Sequence, residues 1–68
     1  ISDVPKNVLA SLKSNFPGYD IEESEISETA TGMVYEFEIE KGESELEVAI
    51  DANGKVVKKV NLEEEKED

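Results

Sequence analysis

Residues 33–50 read M-V-Y-E-F-E-I-E-K-G-E-S-E-L-E-V-A-I, two arms in which apolar and polar residues alternate on either side of Lys41-Gly42. Such alternation is typical of β-strands with one buried face, and a short loop containing glycine between two such arms predicts a hairpin. We expect Lys41-Gly42 to be this loop, which sets Glu40 opposite Glu43. A slip by one residue would turn the carboxylates toward the apolar side chains, so the sequence specifies which residues share a face.

The predicted hairpin has one apolar side and one acidic side. Its apolar cross-strand pairs are Met33–Ile50, Tyr35–Val48 and Phe37–Leu46, and its acidic pairs are Glu36–Glu47 and Glu38–Glu45. Like charges directly opposite each other are unfavourable by about 0.2–1 kcal/mol per pair, although they also keep sheets from aggregating. The acidic side therefore has three interpretations: solubility of a small domain, attraction of a basic partner, or weak binding of a divalent cation.

The composition describes one small acidic domain. The chain has 68 residues and no cysteine, so nearly every apolar residue must enter one thin core, which leaves no room for a ligand pocket of about 300 Å³ or more. Its 7 lysines and 18 carboxylates give a net charge of −11. This charge argues against nucleic acid and anionic membranes as partners. No apolar run is long enough to predict a membrane span or a signal-peptide core.

The residue types that most catalysis needs are missing. Without histidine or cysteine, the chain lacks the usual general bases, thiolate nucleophiles and transition-metal ligands. Paired glutamates can hydrolyse glycosides, but this chain is too small to build a substrate cleft. The segment D-A-N-G at 51–54 resembles the start of a calcium loop, yet its glycine stands fourth rather than sixth. We predict no enzymatic activity, no cofactor and no specific metal site.

Residues 3–16 predict the only helix. Asp3 is the expected N-cap, with Pro5 in the first turn. The apolar residues at helical spacing are Val4, Val8, Leu9, Leu12 and Phe16. Pro17-Gly18 ends the helix, because the residue before a proline avoids helical geometry and glycine permits a sharp turn.

Four antiparallel strands are expected after this helix. Residues 19–28 form the weakest of them, residues 29–32 form a turn, and the hairpin and the segment after Asn53-Gly54 supply the other three. The predicted fold is therefore α+β, with one N-terminal helix packed on one face of a four-stranded antiparallel meander sheet. This single domain covers residues 1–62, and the acidic residues 63–68 are expected to be a disordered tail.

Two loops can join the third and fourth strands. A two-residue Asn53-Gly54 turn would set Lys59 against Val48 on the core side, which is unfavourable. A three-residue loop over residues 52–54, with Gly54 in the left-handed conformation, is therefore preferred. It gives the pairs Ile50–Val56, Leu46–Val60, Asp51–Lys55 and Glu47–Lys59. It also leaves Lys58 on the core side, near an edge of the sheet.

The face of the sheet without a helix is the predicted partner surface. Pairing Ile21 with Ile39 buries both and aligns the first strand with the second. The helix-free face then carries an apolar row of Ile26, Val34, Ala49 and Val57, beside the glutamates Glu36, Glu38, Glu45 and Glu47 and with Lys59 at the margin. This register turns Glu23 and Glu25 toward the helix. The alternative is a bulge in the first strand, which would move Ile26 to the core.

Four segments carry a resemblance to a known family: Val4-Pro5 opening the helix, N-F-P-G at 15–18 closing it, Y-E-F-E-I at 35–39 and D-A-N-G-K-V at 51–56. Together they resemble the PepSY-like domains, in particular the beta-lactamase-inhibitor-like branch of secreted bacterial proteins. The resemblance implies a helix on an antiparallel sheet, often in tandem, and a periplasmic or secreted location. It also implies a protein-binding or inhibitory role through the sheet surface, and no catalytic residue.

We therefore expect a non-enzymatic, secreted module that binds a basic protein through the helix-free face of its sheet. Two alternatives remain open. One is a structural repeat or self-associating domain, a weak homodimer or one unit of a tandem, without a separate ligand. The other is an acidic surface that weakly binds a divalent cation.

Overall fold

The computed structural model describes residues 4–62, so the predicted N-cap Asp3 and the predicted tail at 63–68 lie outside the described residues. The elements are helix α1 (Lys6–Asn15) and strands β1 (Asp20–Thr29), β2 (Gly32–Lys41), β3 (Ser44–Asp51) and β4 (Val56–Asn61). The strands form one antiparallel sheet in the order β1-β2-β3-β4. This confirms the predicted α+β fold.

The core lies between α1 and one face of the sheet. Because side chains alternate along a strand, every second residue of β2 and β3 points toward the helix. The buried members of this core are Val4, Val8, Leu12, Tyr35, Phe37, Ile39, Leu46, Val48 and Ile50. The apolar residues predicted at helical spacing supply Val4, Val8 and Leu12, and Leu9 and Phe16 pack at the margin of the core.

The ends of α1 differ slightly from the prediction. Pro5 takes the N-cap position, and its carbonyl accepts hydrogen bonds from the N–H groups of Val8 and Leu9, both at 3.1 Å. At the other end, the N–H of Phe16 donates to the carbonyl of Leu12 at 2.9 Å. This helix has 10 residues, and no helix within residues 4–62 is long and apolar enough to cross a membrane.

The loop between β3 and β4 is held by α1. The Asn7 side chain donates to the carbonyl of Ala52 at 2.9 Å, and the Ser11 hydroxyl donates to the carbonyl of Gly54 at 2.6 Å. Gly54 has a φ of +86°, and the Asp51 N–H donates to the Lys55 carbonyl at 2.9 Å. These features, together with the pairing of Ile50 and Val56, confirm the three-residue loop.

The predicted register of the central hairpin is wrong by two residues. The observed pairs are Tyr35–Ile50, Phe37–Val48, Ile39–Leu46, Glu38–Glu47 and Glu40–Glu45. The loop is Gly42-Glu43, with Gly42 at a φ of +60°. A two-residue hairpin turn needs a positive φ at its first position, which glycine adopts readily and Lys41 would not. Since side chains repeat every two residues, each keeps its predicted face although its partner changes.

A bulge at Glu22 divides β1 into two registers. Ile21 pairs with Ile39, as predicted, but the next pair is Glu23 with Glu38. Because of this extra residue, every later side chain of β1 points to the opposite face from the one predicted. Glu23 and Glu25 therefore join the helix-free face, and Ile26 lies opposite Tyr35 on the helix side. The alternative prediction, a bulge that turns Ile26 toward the helix side, is therefore correct about the face of Ile26. This side chain nevertheless stays 43% exposed at the edge of the sheet.

A second bulge lies in β4. Beyond the pair Ile50–Val56, the register shifts by one residue, so Lys58 lies opposite Ala49 and Lys59 opposite Val48. The predicted pairs Leu46–Val60 and Glu47–Lys59 are wrong, because Val60 now faces Glu47. The bulge moves Lys58 from the helix side to the helix-free face and moves Lys59 the other way. Lys59 is exposed there, as an outer strand permits.

The link between α1 and the β3–β4 loop predicts the effect of two serine substitutions. Ser11→Ala removes the hydrogen bond to Gly54, whereas Ser14→Ala changes an exposed serine on the same helix. Both gain the same helix propensity, so we expect Ser11→Ala to be less stable than Ser14→Ala by about 0.5–1.5 kcal/mol. Urea denaturation measures the difference. Equal free energies of unfolding would contradict a stabilising link.

The observed hairpin loop predicts the effect of an alanine at Gly42. Within residues 4–62, no atom lies within 4 Å of the position that a Cβ would take at Gly42. Gly42→Ala would therefore lose stability through its left-handed backbone alone, by about 1 kcal/mol. Glu43→Ala, in the same loop without a positive φ, is the control and should change little. Thermal or urea unfolding tests both variants. A Gly42→Ala protein as stable as the control would refute the observed loop.

The acidic face of the sheet

The face of the sheet opposite α1 concentrates carboxylates from three strands; we call it the acidic face. The cross-strand pairs and the two bulges place its members. They are Glu22, Glu23 and Glu25 from β1, Glu36, Glu38 and Glu40 from β2, and Glu45 and Glu47 from β3. The strand alternation that buries the core thus also brings these glutamates together.

The predicted apolar row does not form. Ile26 lies on the other side of the sheet, and Val57 sits in the β4 bulge, 50% exposed. Val34 and Ala49 stay on the acidic face but in different rows, because Val34 faces Asp51 and Ala49 faces Glu36. The two-residue change in the hairpin register and the two bulges together separate the four side chains.

The predicted glutamates keep their face but change partners. Glu36, Glu38, Glu45 and Glu47 all lie on the acidic face. Lys59 does not, and Lys58 takes its place: its Nζ lies 3.9 Å from Glu47 Oε2, with both side chains well exposed. An ion pair of this kind contributes at most about 1 kcal/mol, so Lys58 compensates little of the charge around it.

Three of these carboxylates converge at one end of the face. Oxygen atoms of Glu22, Glu38 and Glu45 all lie within 4.8 Å of one another. The pKa of Glu22 is raised to about 7, first by the hydrogen bond that its protonated form donates to Glu40, and then by lost hydration and repulsion from neighbouring carboxylates. Near neutral pH, Glu22 is therefore partly protonated, whereas an isolated glutamate would be ionised.

Glu38 is affected in the same direction. Its pKa is raised by a hydrogen bond with Glu45, followed by lost hydration and the charge of Glu23. Oxygen ligands of this type suit calcium, but exposed carboxylates also converge without any ion. The convergence of Glu22, Glu38 and Glu45 therefore does not by itself define a metal site. What the arrangement does chemically is raise the energy of the ionised state and attract positive charge.

A shallow depression of about 130 Å³ lies on the same face. Its lining includes Glu23, Glu25, Glu36, Glu38, Glu47 and Leu62. Leu62 follows β4 and is half-buried. The depression is far smaller than the pockets of about 300–1,000 Å³ that hold small-molecule ligands.

Sequence reasoning missed Glu23, Glu25, Glu40 and Leu62 as members of this face. A signal for the first two existed: Ile21 and Ile26 lie five positions apart, an odd number, so both can face the helix only across a bulge. The predicted loop begins at Lys41 rather than Gly42, and this puts Glu40 directly beside the loop instead of opposite Glu45. No pattern in the sequence indicated Leu62, because its position depends on the β4 bulge.

No protein-family model, curated protein or solved structure matches this chain. The comparisons therefore supply neither a family nor a function, and the resemblance to PepSY-like domains stays a prediction. What the chain does must be argued from its own surface.

The raised pKa of Glu22 predicts how stability depends on pH. The folded pKa of about 7 lies above the ordinary value of 4.5, so between these values the folded state binds more protons than the unfolded state. Stability contributed by this group therefore falls as pH rises through this window. We expect the melting temperature to rise as pH is lowered from about 8 to about 5, and Glu22→Gln to be more stable than wild type at about pH 8.

The matched control for this experiment is Glu28→Gln, because Glu28 lies on β1 opposite Met33, away from the acidic face. It removes the same formal charge without relieving the contact between Glu22 and Glu40. Thermal unfolding across the pH range compares the two variants. If Glu22→Gln stabilises the protein no more than Glu28→Gln does, local repulsion at Glu22 is not the cause.

Proposed function

We propose that this protein is a non-enzymatic binding module whose acidic face docks on a basic surface of another protein. The observation that carries the proposal is the concentration of glutamates from β1, β2 and β3 on one side of the sheet, with Lys58 the cation that pairs with them within residues 4–62. Facing like charges destabilise a sheet. A basic partner would remove that repulsion on binding.

The electrostatics of the face support this proposal. A nearby positive charge favours the ionised form of a carboxylate, so a docked lysine or arginine would lower the raised pKa values of Glu22 and Glu38. Binding would then release protons near neutral pH. A field of one sign also accelerates the encounter with an oppositely charged partner.

The dimensions of the domain are adequate for such an interface. It measures 36 × 25 × 17 Å, and α1 covers one of the two broad sides of the sheet. The other side is comparable in size to the roughly 800 Å² that each partner contributes to a standard interface. The periplasmic or secreted location implied by the family resemblance remains part of the proposal.

The two alternatives are weaker on this geometry. Docking of a second copy or a tandem unit depended on the apolar row of four residues, which the observed register does not form, and two acidic faces would repel each other. Weak cation binding has the converging carboxylates of Glu22, Glu38 and Glu45 in its favour. Both alternatives are decided by the measurements below.

The proposal predicts that a basic peptide binds through the glutamates of the acidic face and not through glutamates elsewhere on the protein. The probe is a fluorescent peptide of alternating lysine and serine, titrated at low and moderate salt. The double variant Glu38→Gln with Glu45→Gln should weaken binding about two- to tenfold at low salt. The control double variant, Glu28→Gln with Glu43→Gln, removes the same charge away from the face and should change binding less than twofold.

Each other outcome of this experiment has a defined meaning. Equal weakening by the two double variants would mean that only the net charge attracts the peptide, which would sink the proposal. Stabilisation by millimolar calcium that exceeds stabilisation by magnesium would instead favour the cation-binding surface. A dimer in sedimentation without added peptide, strengthened by salt, would favour self-association.

A further inference from the structure

We infer that the depression on the acidic face receives one long basic side chain, a lysine or arginine, of the docked partner. This inference rests on the proposed function and adds where on the face the partner is anchored. It concerns the area between Glu25 and Leu62, which shares Glu38 with the converging carboxylates but does not include Glu22 or Glu45.

The depression is surrounded by carboxylates from three strands. Glu25 lies opposite Glu36, and in the next row Glu23, Glu38 and Glu47 follow one another across the sheet. These five side chains belong to neighbouring positions on a single face, so a positive charge placed between the two rows would be near all of them. Lys58 reaches only the outer side of this group, at Glu47.

The volume fits one extended side chain. At about 30 Å³ for each water molecule of the liquid, the 130 Å³ of the depression corresponds to about four molecules. That is the size of a short methylene chain with its charged end group.

Leu62 gives the depression an apolar wall among the carboxylates. Lysine and arginine bury their methylene stems on apolar surface while the charged end stays in polar surroundings. A half-buried leucine beside Glu47 supplies both environments at once. A bare metal ion would gain nothing from this apolar wall. The geometry therefore favours a basic side chain over a metal ion. The raised pKa of Glu38 agrees with an uncompensated site for positive charge.

The inference is tested by nuclear magnetic resonance with three short peptides, acetyl-Gly-Gly-X-Gly-Gly-amide, in which X is lysine, arginine or norleucine. Norleucine keeps the aliphatic stem and lacks the charge. At millimolar peptide, lysine and arginine should shift the amide signals of Glu36, Glu38 and Glu47 and the methyl signals of Leu62 most strongly. Norleucine should shift them little.

Two failures of this experiment are distinguishable. If the lysine and arginine peptides shift mainly Glu22, Glu40 and Glu45, the acidic face binds basic groups but the depression is not the anchor, and the inference is overturned while the proposed function stands. If neither these peptides nor the alternating lysine–serine peptide shifts any residue of the acidic face, both fail together.

A pair of variants tests the apolar wall. Leu62→Ala should weaken binding of the lysine peptide about threefold, because part of the methylene stem of the peptide's lysine loses its apolar contact. Val57→Ala removes an exposed apolar side chain of the β4 bulge and should leave the affinity unchanged. Since Leu62 is outside the buried core, both proteins should fold. Equal affinities in the two variants would overturn the role assigned to Leu62 and, with it, the anchored geometry.

Discussion

Packing of alternate β2 and β3 side chains against α1 is the interaction on which the rest of the structure depends. It buries Phe37, Ile39, Val48 and Ile50 almost completely, and in a small domain without cysteine this contact must offset most of the entropy lost on folding. Because strands have a period of two, the same packing turns the remaining residues of β2 and β3 to the other side. The acidic face is thus the necessary counterpart of the core.

The sequence predicted the features that depend on this period, and the structure confirms the fold, the helical stripe, the pairing of Ile21 with Ile39 and the loop at Gly54. It did not predict features that depend on single residues. The choice between Lys41 and Gly42 as the first loop residue changed every pair of the hairpin, and the bulges at Glu22 and in β4 exchanged the faces of outer residues. A register error of two residues leaves each side chain of the central strands on its correct face. It changes the cross-strand partners, however, so a row of side chains predicted across four strands is lost.

The candidate site was predictable to the same degree. Glutamates of the central strands were placed on the correct face, because their alternation with core residues left no other choice. The apolar members were misplaced, since Ile26 and Val57 lie on outer strands with few core contacts, where a bulge costs little packing. The surface that results carries Glu23 and Glu25 in addition to the predicted glutamates. Its charge, rather than an apolar row, is what a partner would encounter first.

The two bulges have a further consequence, because both lie on the outer strands of the sheet. A flat outer strand offers a row of free N–H and C=O groups on which another chain can add a strand, whereas a bulge interrupts that row and twists it away. The borders of this sheet are therefore poor templates for strand addition, whether by a peptide ligand or by another copy growing into a fibril. A partner of the kind proposed above would therefore meet the broad side of the sheet, through side chains rather than backbone.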